Sequence, residues 1–193
     1  MHATTAPEAQ HTDIIIRLAG RRDRPSVEAM ARRCSRAALA ARFHAPRRDI
    51  PEPYLSEALR RSPLHHALVA KVDNTVVGLA SACVTGGEVA ELAVLVEDDH
   101  QNRGVGSLLL GDLAALSAWR GVRRFTALIG TDNTPIRRAL NGLHGRGYTG
   151  HWTWRACPDG LEGTASTIPH PPFLAVGERS ASSCLDLAGL VAA

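Results

Sequence analysis

The sequence predicts a mixed α/β (α+β) domain, with a mostly antiparallel sheet of about six to seven strands flanked by about four helices. Three observations predict it. The runs His66–Val72, Thr75–Val84 and Val89–Val96 follow one another across short turns, as antiparallel neighbours do. The glycine-punctuated turn Gln101-Asn102-Arg103-Gly104-Val105-Gly106 then leads into a long helical pattern. Beyond that helix the chain reads strand, helix, strand pair. Folds built from repeated βαβ crossovers do not begin with such a meander.

Each element has a local reason. Residues 1–11 are polar and rich in Ala and Thr, and are expected to be a flexible terminus before a domain at 12–168. Asp13–Leu18 is apolar and β-branched, which suits a first strand. Pro25 sits in the first turn of a helix beginning at Arg24, and a second short helix covers Ser35–Phe43. Pro51 and Pro53 interrupt before a third short helix that reaches Arg60. Asp73-Asn74 marks a tight hairpin, because Asn tolerates positive φ. Gly86-Gly87 turns the chain into the strand that ends at Val96. Val105, Leu108, Leu109, Leu113, Leu116 and Trp119 recur at helical spacing. Val122–Ile129 is the next strand. Thr134-Pro135 opens a helix running towards His144, and Gly145–Gly147 ends it. Trp152–Cys157 and Glu162–Ile168 form a last hairpin around Pro158-Asp159-Gly160. Residues 169–193 form a C-terminal tail with some apolar content at Leu185, Leu187, Leu190 and Val191.

Composition narrows the class. With 193 residues and 45% apolar content, one domain with a substantial core is expected. No apolar run is long enough to span a membrane, and the first residues lack a secretory pattern, so no membrane partner is expected and the cytoplasm is the expected location. Cys34, Cys83, Cys157 and Cys184 lack paired spacing, which argues for reduced thiols and against zinc. Lys71 is the only lysine among 22 basic residues. Ten arginines lie between Arg17 and Arg48; they can attract acidic partners or simply be solvated. Aromatics are sparse, so nucleic acid is not an expected partner.

The turn at 101–106 carries the chemistry. A glycine-rich strand-to-helix turn gathers unpaired N–H groups and the positive end of the helix dipole, a ready site for phosphate. A P-loop would need a Lys after Gly106, and a dinucleotide fold would need a third glycine where Leu109 stands. Gln/Arg-x-x-Gly-x-Gly/Ala remains, and the chain matches it. This motif, with the element order from Asp13 to Ile168, resembles the GCN5-related N-acetyltransferase (GNAT) family. The resemblance implies a sheet splayed between its fourth and fifth strands and acetyl-CoA as cofactor.

The resemblance also implies site residues. Backbone groups of Val94, Leu95 and Val96 would pair with the pantetheine amides, with a β-bulge in that strand. Gln101, Arg103, Gly104, Val105, Gly106 and Ser107 would cover the pyrophosphate. Asn133 would meet the cofactor or cap its helix, and Arg137 or Arg138 would reach the adenosine phosphates. Gly145-Arg146-Gly147-Tyr148 resembles the family's closing turn. The family's frequent Tyr acid, seven residues after the Asn, is replaced here by Leu140. Glu91, inside an apolar strand, is the expected general base, since an apolar setting raises a carboxyl pKa. Otherwise it is an outward-facing strand carboxylate. Glu88 is the weaker candidate, and the pair His65-His66 is another, expected to face solvent. Arg42-Phe43 resembles a segment of bacterial protein-lysine acetyltransferases. A primary amine is therefore the expected acceptor, a protein lysine before a small molecule. A non-catalytic acyl-CoA-binding module is the alternative.

Overall fold

The computed structural model describes residues 13–169. The segments expected to flank the domain, 1–11 and the tail beyond Pro169, lie outside the described residues, as does Cys184. Seven strands and five α-helices follow in the order β1 (Ile14–Leu18), α1 (Arg24–Arg33), α2 (Arg36–Phe43), α3 (Glu52–Ala58), β2 (His65–Val72), β3 (Thr75–Gly86), β4 (Val89–Val96), α4 (Val105–Trp119), β5 (Arg124–Ile129), α5 (Thr134–Gly145), β6 (Thr153–Cys157) and β7 (Gly160–Ser166). The sheet order is β1-β2-β3-β4-β5-β7-β6, so the last strand inserts between β5 and β6.

Every strand pair is antiparallel except β4 with β5. That parallel pairing covers only Val89–Glu91 against Arg124–Thr126. Beyond it β4 keeps β3 as far as Val96, and β5 keeps β7 as far as Ile129. The sheet therefore opens like a V between its fourth and fifth strands. The bulge expected in β4 is absent: its register with β3 runs unbroken from Gly78↔Val96 to Val84↔Ala90 and shifts only at Val84/Gly86, the far end.

Alternation along the strands builds a core on each face. Even-numbered β4 residues, with Phe125, Ala127 and Ile129 of β5, pack under α4 and α5. Leu95, Leu79, Val69 and Ala67 pack under α1, α2 and α3. Helix α4 is apolar almost all round, which suits burial, and it lies close to the sheet because Gly78 has no side chain. A Cβ there would stand 2.8 Å from Leu109 Cδ1.

The histidine pair does not face solvent. His65 is 7% and His66 0% exposed, because β2 is covered on both faces. His66 shares a 2.9 Å hydrogen bond with Ser117 Oγ of α4, and burial pushes its pKa down to about 4. A neutral buried imidazole makes stability pH-dependent. The unfolded chain takes up this proton near pH 6.5 and the folded chain only near 4. Lowering pH through that window is expected to cost roughly 3 kcal/mol of stability, most of which His66→Gln should remove. Thermal melts of both proteins between pH 7 and 4 check this.

Candidate active site

The V between β4 and β5 opens into a cavity of about 950 Å³, room for a large ligand. Its walls come from α2, β4, the 101–107 turn, β5 and the start of α5. Hydrogen bonding shows which β4 groups face it. The Glu97 N–H donates to Val77 O on β3. A strand residue aims its own N–H and C=O to one side, and successive residues alternate. Val96, Val94 and Leu92 therefore turn their backbone groups to the open edge, about 13 Å from end to end. Leu95 turns its backbone to β3, so only two of the three expected backbone partners, Val94 and Val96, present theirs to the cavity. The Val96 carbonyl already accepts from Gln101 Nε2 at 3.0 Å. Gln101 thus spends its donor on the strand end.

The turn forms as its sequence requires. Gly104, the N-cap of α4, has φ 83°, a left-handed conformation that favours glycine. A Cβ there would meet nothing within 4 Å, so the space above the turn is open. The N–H groups of Val105, Gly106 and Ser107 lie in the first turn of α4 and have no intrahelical acceptor. Gly106 and Ser107 line the cavity; the Val105 side chain is 1% exposed and anchors the helix in the core. Arg103 is exposed and outside the cavity wall. Open space, orphan donors and a helix dipole suit a diphosphate. Gly104→Val is expected to destabilise the fold, because a non-glycine residue costs roughly 1–2 kcal/mol in this conformation, and to weaken acetyl-CoA binding about tenfold, because its side chain would fill the open space above the turn. Isothermal titration checks it.

Across the V, Asn133 caps its helix, one of the two roles expected of it. Its Oδ1 accepts the Ile136 N–H at 3.4 Å and caps α5, and the residue also lines the cavity. Its amide nitrogen is left as a donor. Arg138, not Arg137, lines the wall. Leu140 is 1% exposed and closes the floor.

Glu91 stands on β4 at the last rung before the sheet opens, opposite Thr126, and lines the cavity. It is exposed, so the apolar setting expected for its carboxylate is not there. Glu88 lies outside the cavity, 3.8 Å from Arg123.

Helix α2 roofs the V, held by contacts the sequence did not reveal. Asp98 accepts the Ser35 hydroxyl at 2.6 Å and the Ser35 N–H at 2.7 Å. Burial pushes the Asp98 carboxyl up, but these bonds outweigh it and hold the group below its ordinary range. Arg33 grips Glu97 with two 2.8 Å bonds. At the far end of α2, Arg42 stacks 4.6 Å from the Phe43 ring and 4.7 Å from that of Tyr54. His44 caps the helix with φ 52° and reaches Leu128 O of β5 at 3.2 Å. Sequence reading missed His44; its only signal was its place directly after Arg42-Phe43.

The family model of the acetyltransferase (GNAT) family matches residues 30–143. The chain belongs to the GNAT acetyltransferase family. This GNAT protein is 44% identical over 55 residues to acetyltransferase Pat of Mycolicibacterium smegmatis, a stretch that makes up 28% of this chain and 16% of that protein. The chain thus matches only a small part of that relative's length. Its fold is similar to the GNAT domain of S. lividans PAT, with TM-score 0.69 and 21% identity over 84% of this chain and 99% of that domain. It is also similar to yncA from Salmonella typhimurium, solved with its cofactor acetyl-CoA, with TM-score 0.61 and 22% identity over 86% and 98% of the two chains. The family model thus gives the acetyltransferase class, and the two solved structures give the fold.

Proposed function

We propose that this acetyltransferase moves an acetyl group directly to a lysine side chain of a protein, with Glu91 as general base. One observation carries the reading: Glu91 is an exposed carboxylate in the cavity wall where β4 parts from β5. Two others favour a protein acceptor. The Arg42-Phe43 segment, which resembles that of bacterial protein-lysine acetyltransferases, forms the roof on Glu91's side. The match to acetyltransferase Pat points the same way.

Acetyl-CoA supplies an already activated thioester. The first-turn N–H groups of α4 hold its pyrophosphate, and Gly104 lets the phosphates approach. Val94 and Val96 offer backbone groups to the pantetheine arm, Asn133 adds an amide donor, and Arg138 is the cation available to the phosphates. Glu91 takes the ammonium proton, directly or through one water, so the amine can attack. Its exposure suits this role, since the proton passes on to solvent.

No described helix is long and apolar enough to cross a membrane. Cys34, Cys83 and Cys157 are free thiols, which supports a reducing compartment, the cytoplasm.

Incubating the protein and acetyl-CoA with cell extract, followed by mass spectrometry, tests the acceptor. Nε-acetyl-lysine on proteins is expected. Acetylated small amines alone would replace this reading with the small-molecule one. Binding of acetyl-CoA without any turnover would mean a binding module.

A further inference from the structure

We propose that His44 is the proton donor to the departing CoA sulfur. The inference rests on the direct transfer proposed above for the same cavity. The pyrophosphate turn lies at the C-terminal end of β4, and the open edge runs back from Val96 to Leu92. The thioester therefore arrives where the V closes, near Glu91 and Ala93. Thr126 pairs with Glu91, so Leu128, two residues further along β5, stands level with Ala93. His44 is bonded at that level, its Nε2 3.2 Å from Leu128 O, and its ring lines the cavity.

The other candidates fail on chemistry or position. Leu140 is aliphatic and 1% exposed. Arg42 lines the same end of the cavity, but a guanidinium does not give up its proton. Ser107, Gln101 and Asn102 belong to the phosphate end. Glu91 is needed to receive a proton, not to donate one. His44 meets the requirements. Its Nε2–H donates to Leu128 O, which fixes the ring. Its Nδ1 has no partner among the described residues. A histidine whose second nitrogen is oriented by a carbonyl is a usual proton-transfer arrangement.

The step balances. Glu91 first passes the ammonium proton on to solvent, then accepts the second proton, which the amine releases as the N–C bond forms. His44, as imidazolium, gives its Nδ1 proton to sulfur as the C–S bond breaks, and CoA leaves as the thiol. Solvent then returns a proton to His44 and takes one from Glu91.

The test compares wild type with His44→Gln, whose amide still donates to Leu128 O. The binding readout is the nitrogen-15 NMR spectrum of the His44 ring at pH 8, its signals assigned by their loss in His44→Gln. With the Nε2–H spent on Leu128 O, the ring turns its Nδ1 lone pair to the CoA sulfur and accepts the S–H there. CoA is therefore expected to move the Nδ1 signal and desulfo-CoA to leave it in place, while the variant keeps the CoA dissociation constant and melting temperature of wild type. The kinetic readout uses a lysine-rich peptide with two acetyl donors. With acetyl-CoA the variant is expected to lose about 10²-fold in kcat. With an S-acetyl aryl thiol, which leaves without a proton, it should lose less than about threefold in kcat/KM. The same Nδ1 signal with CoA as with desulfo-CoA, or equal losses with both acetyl donors, would overturn the proposal. The NMR comparison needs no amine acceptor, so it stands apart from any failure of the lysine reading.

Discussion

Glu91→Gln is expected to lower kcat for amine acetylation by about 10²–10⁴-fold, the range for a removed general base. The amide is nearly isosteric and the residue is exposed, so the fold should not change. The acetyl-CoA dissociation constant should stay within about twofold, because the proposed cofactor contacts lie further along β4 and on the turn. Steady-state kinetics with a lysine peptide, beside isothermal titration of acetyl-CoA, separate the two effects. Glu88→Gln is the control. Glu88 lies outside the cavity, and its variant should keep nearly full activity. A fully active Glu91→Gln enzyme would leave the amine to be deprotonated by solvent.

The second large effect concerns the tie between α1 and the end of β4. Arg33 donates from Nε and Nη2 to the two Glu97 oxygens, and Nη2 also reaches Val76 O at 2.8 Å. Glu97 is 7% exposed. Replacing Arg33 by Met strands a buried carboxylate. Breaking a fully buried pair costs about 3–5 kcal/mol. Solvent moderates this one, since the Arg33 side chain is 38% exposed, so about 1–3 kcal/mol is expected. That corresponds to a fall in melting temperature of roughly 3–10 °C for a chain of this size. The double variant Arg33→Met/Glu97→Met should be more stable than Arg33→Met alone, because no charge is then left buried. The tie also matters for the site. Glu97 adjoins Asp98, which holds Ser35 and the start of α2, so Arg33→Met should raise the KM for acetyl-CoA as well. Thermal melts of the three proteins, read as a double-mutant cycle, decide the coupling.

Much of this architecture is legible in local sequence. Strand alternation, the prolines at helix starts and the glycine at 104 each act within a few residues, and the elements they predict are present. What depends on distant partners is not legible. His66 reads as a surface histidine until Ser117, 51 residues away, supplies its hydrogen bond. The final hairpin does not say which of its strands meets β5; β7 does, through six pairs from Arg124 to Ile129. Glu91 is legible as a carboxylate in an apolar strand, but the loss of its β5 neighbour beyond Thr126 leaves it exposed. Arg137 and Arg138 are adjacent, and only the rotation of α5 selects Arg138 for the cavity wall. His44 belongs to no motif. Its position follows from the Ser35–Asp98 clamp at one end of α2 and the Leu128 carbonyl at the other.

The central claim is that acetyl-CoA lies in the V, with its phosphates on the 104–107 turn and its thioester beside Glu91. A crystal structure of the CoA complex tests this most directly. The account predicts pyrophosphate oxygens within about 3 Å of the first-turn N–H groups of α4, pantetheine amides paired with Val94, and the sulfur between Glu91 and His44. CoA bound outside the β4–β5 opening, or with its sulfur at the phosphate end of β4, would contradict it.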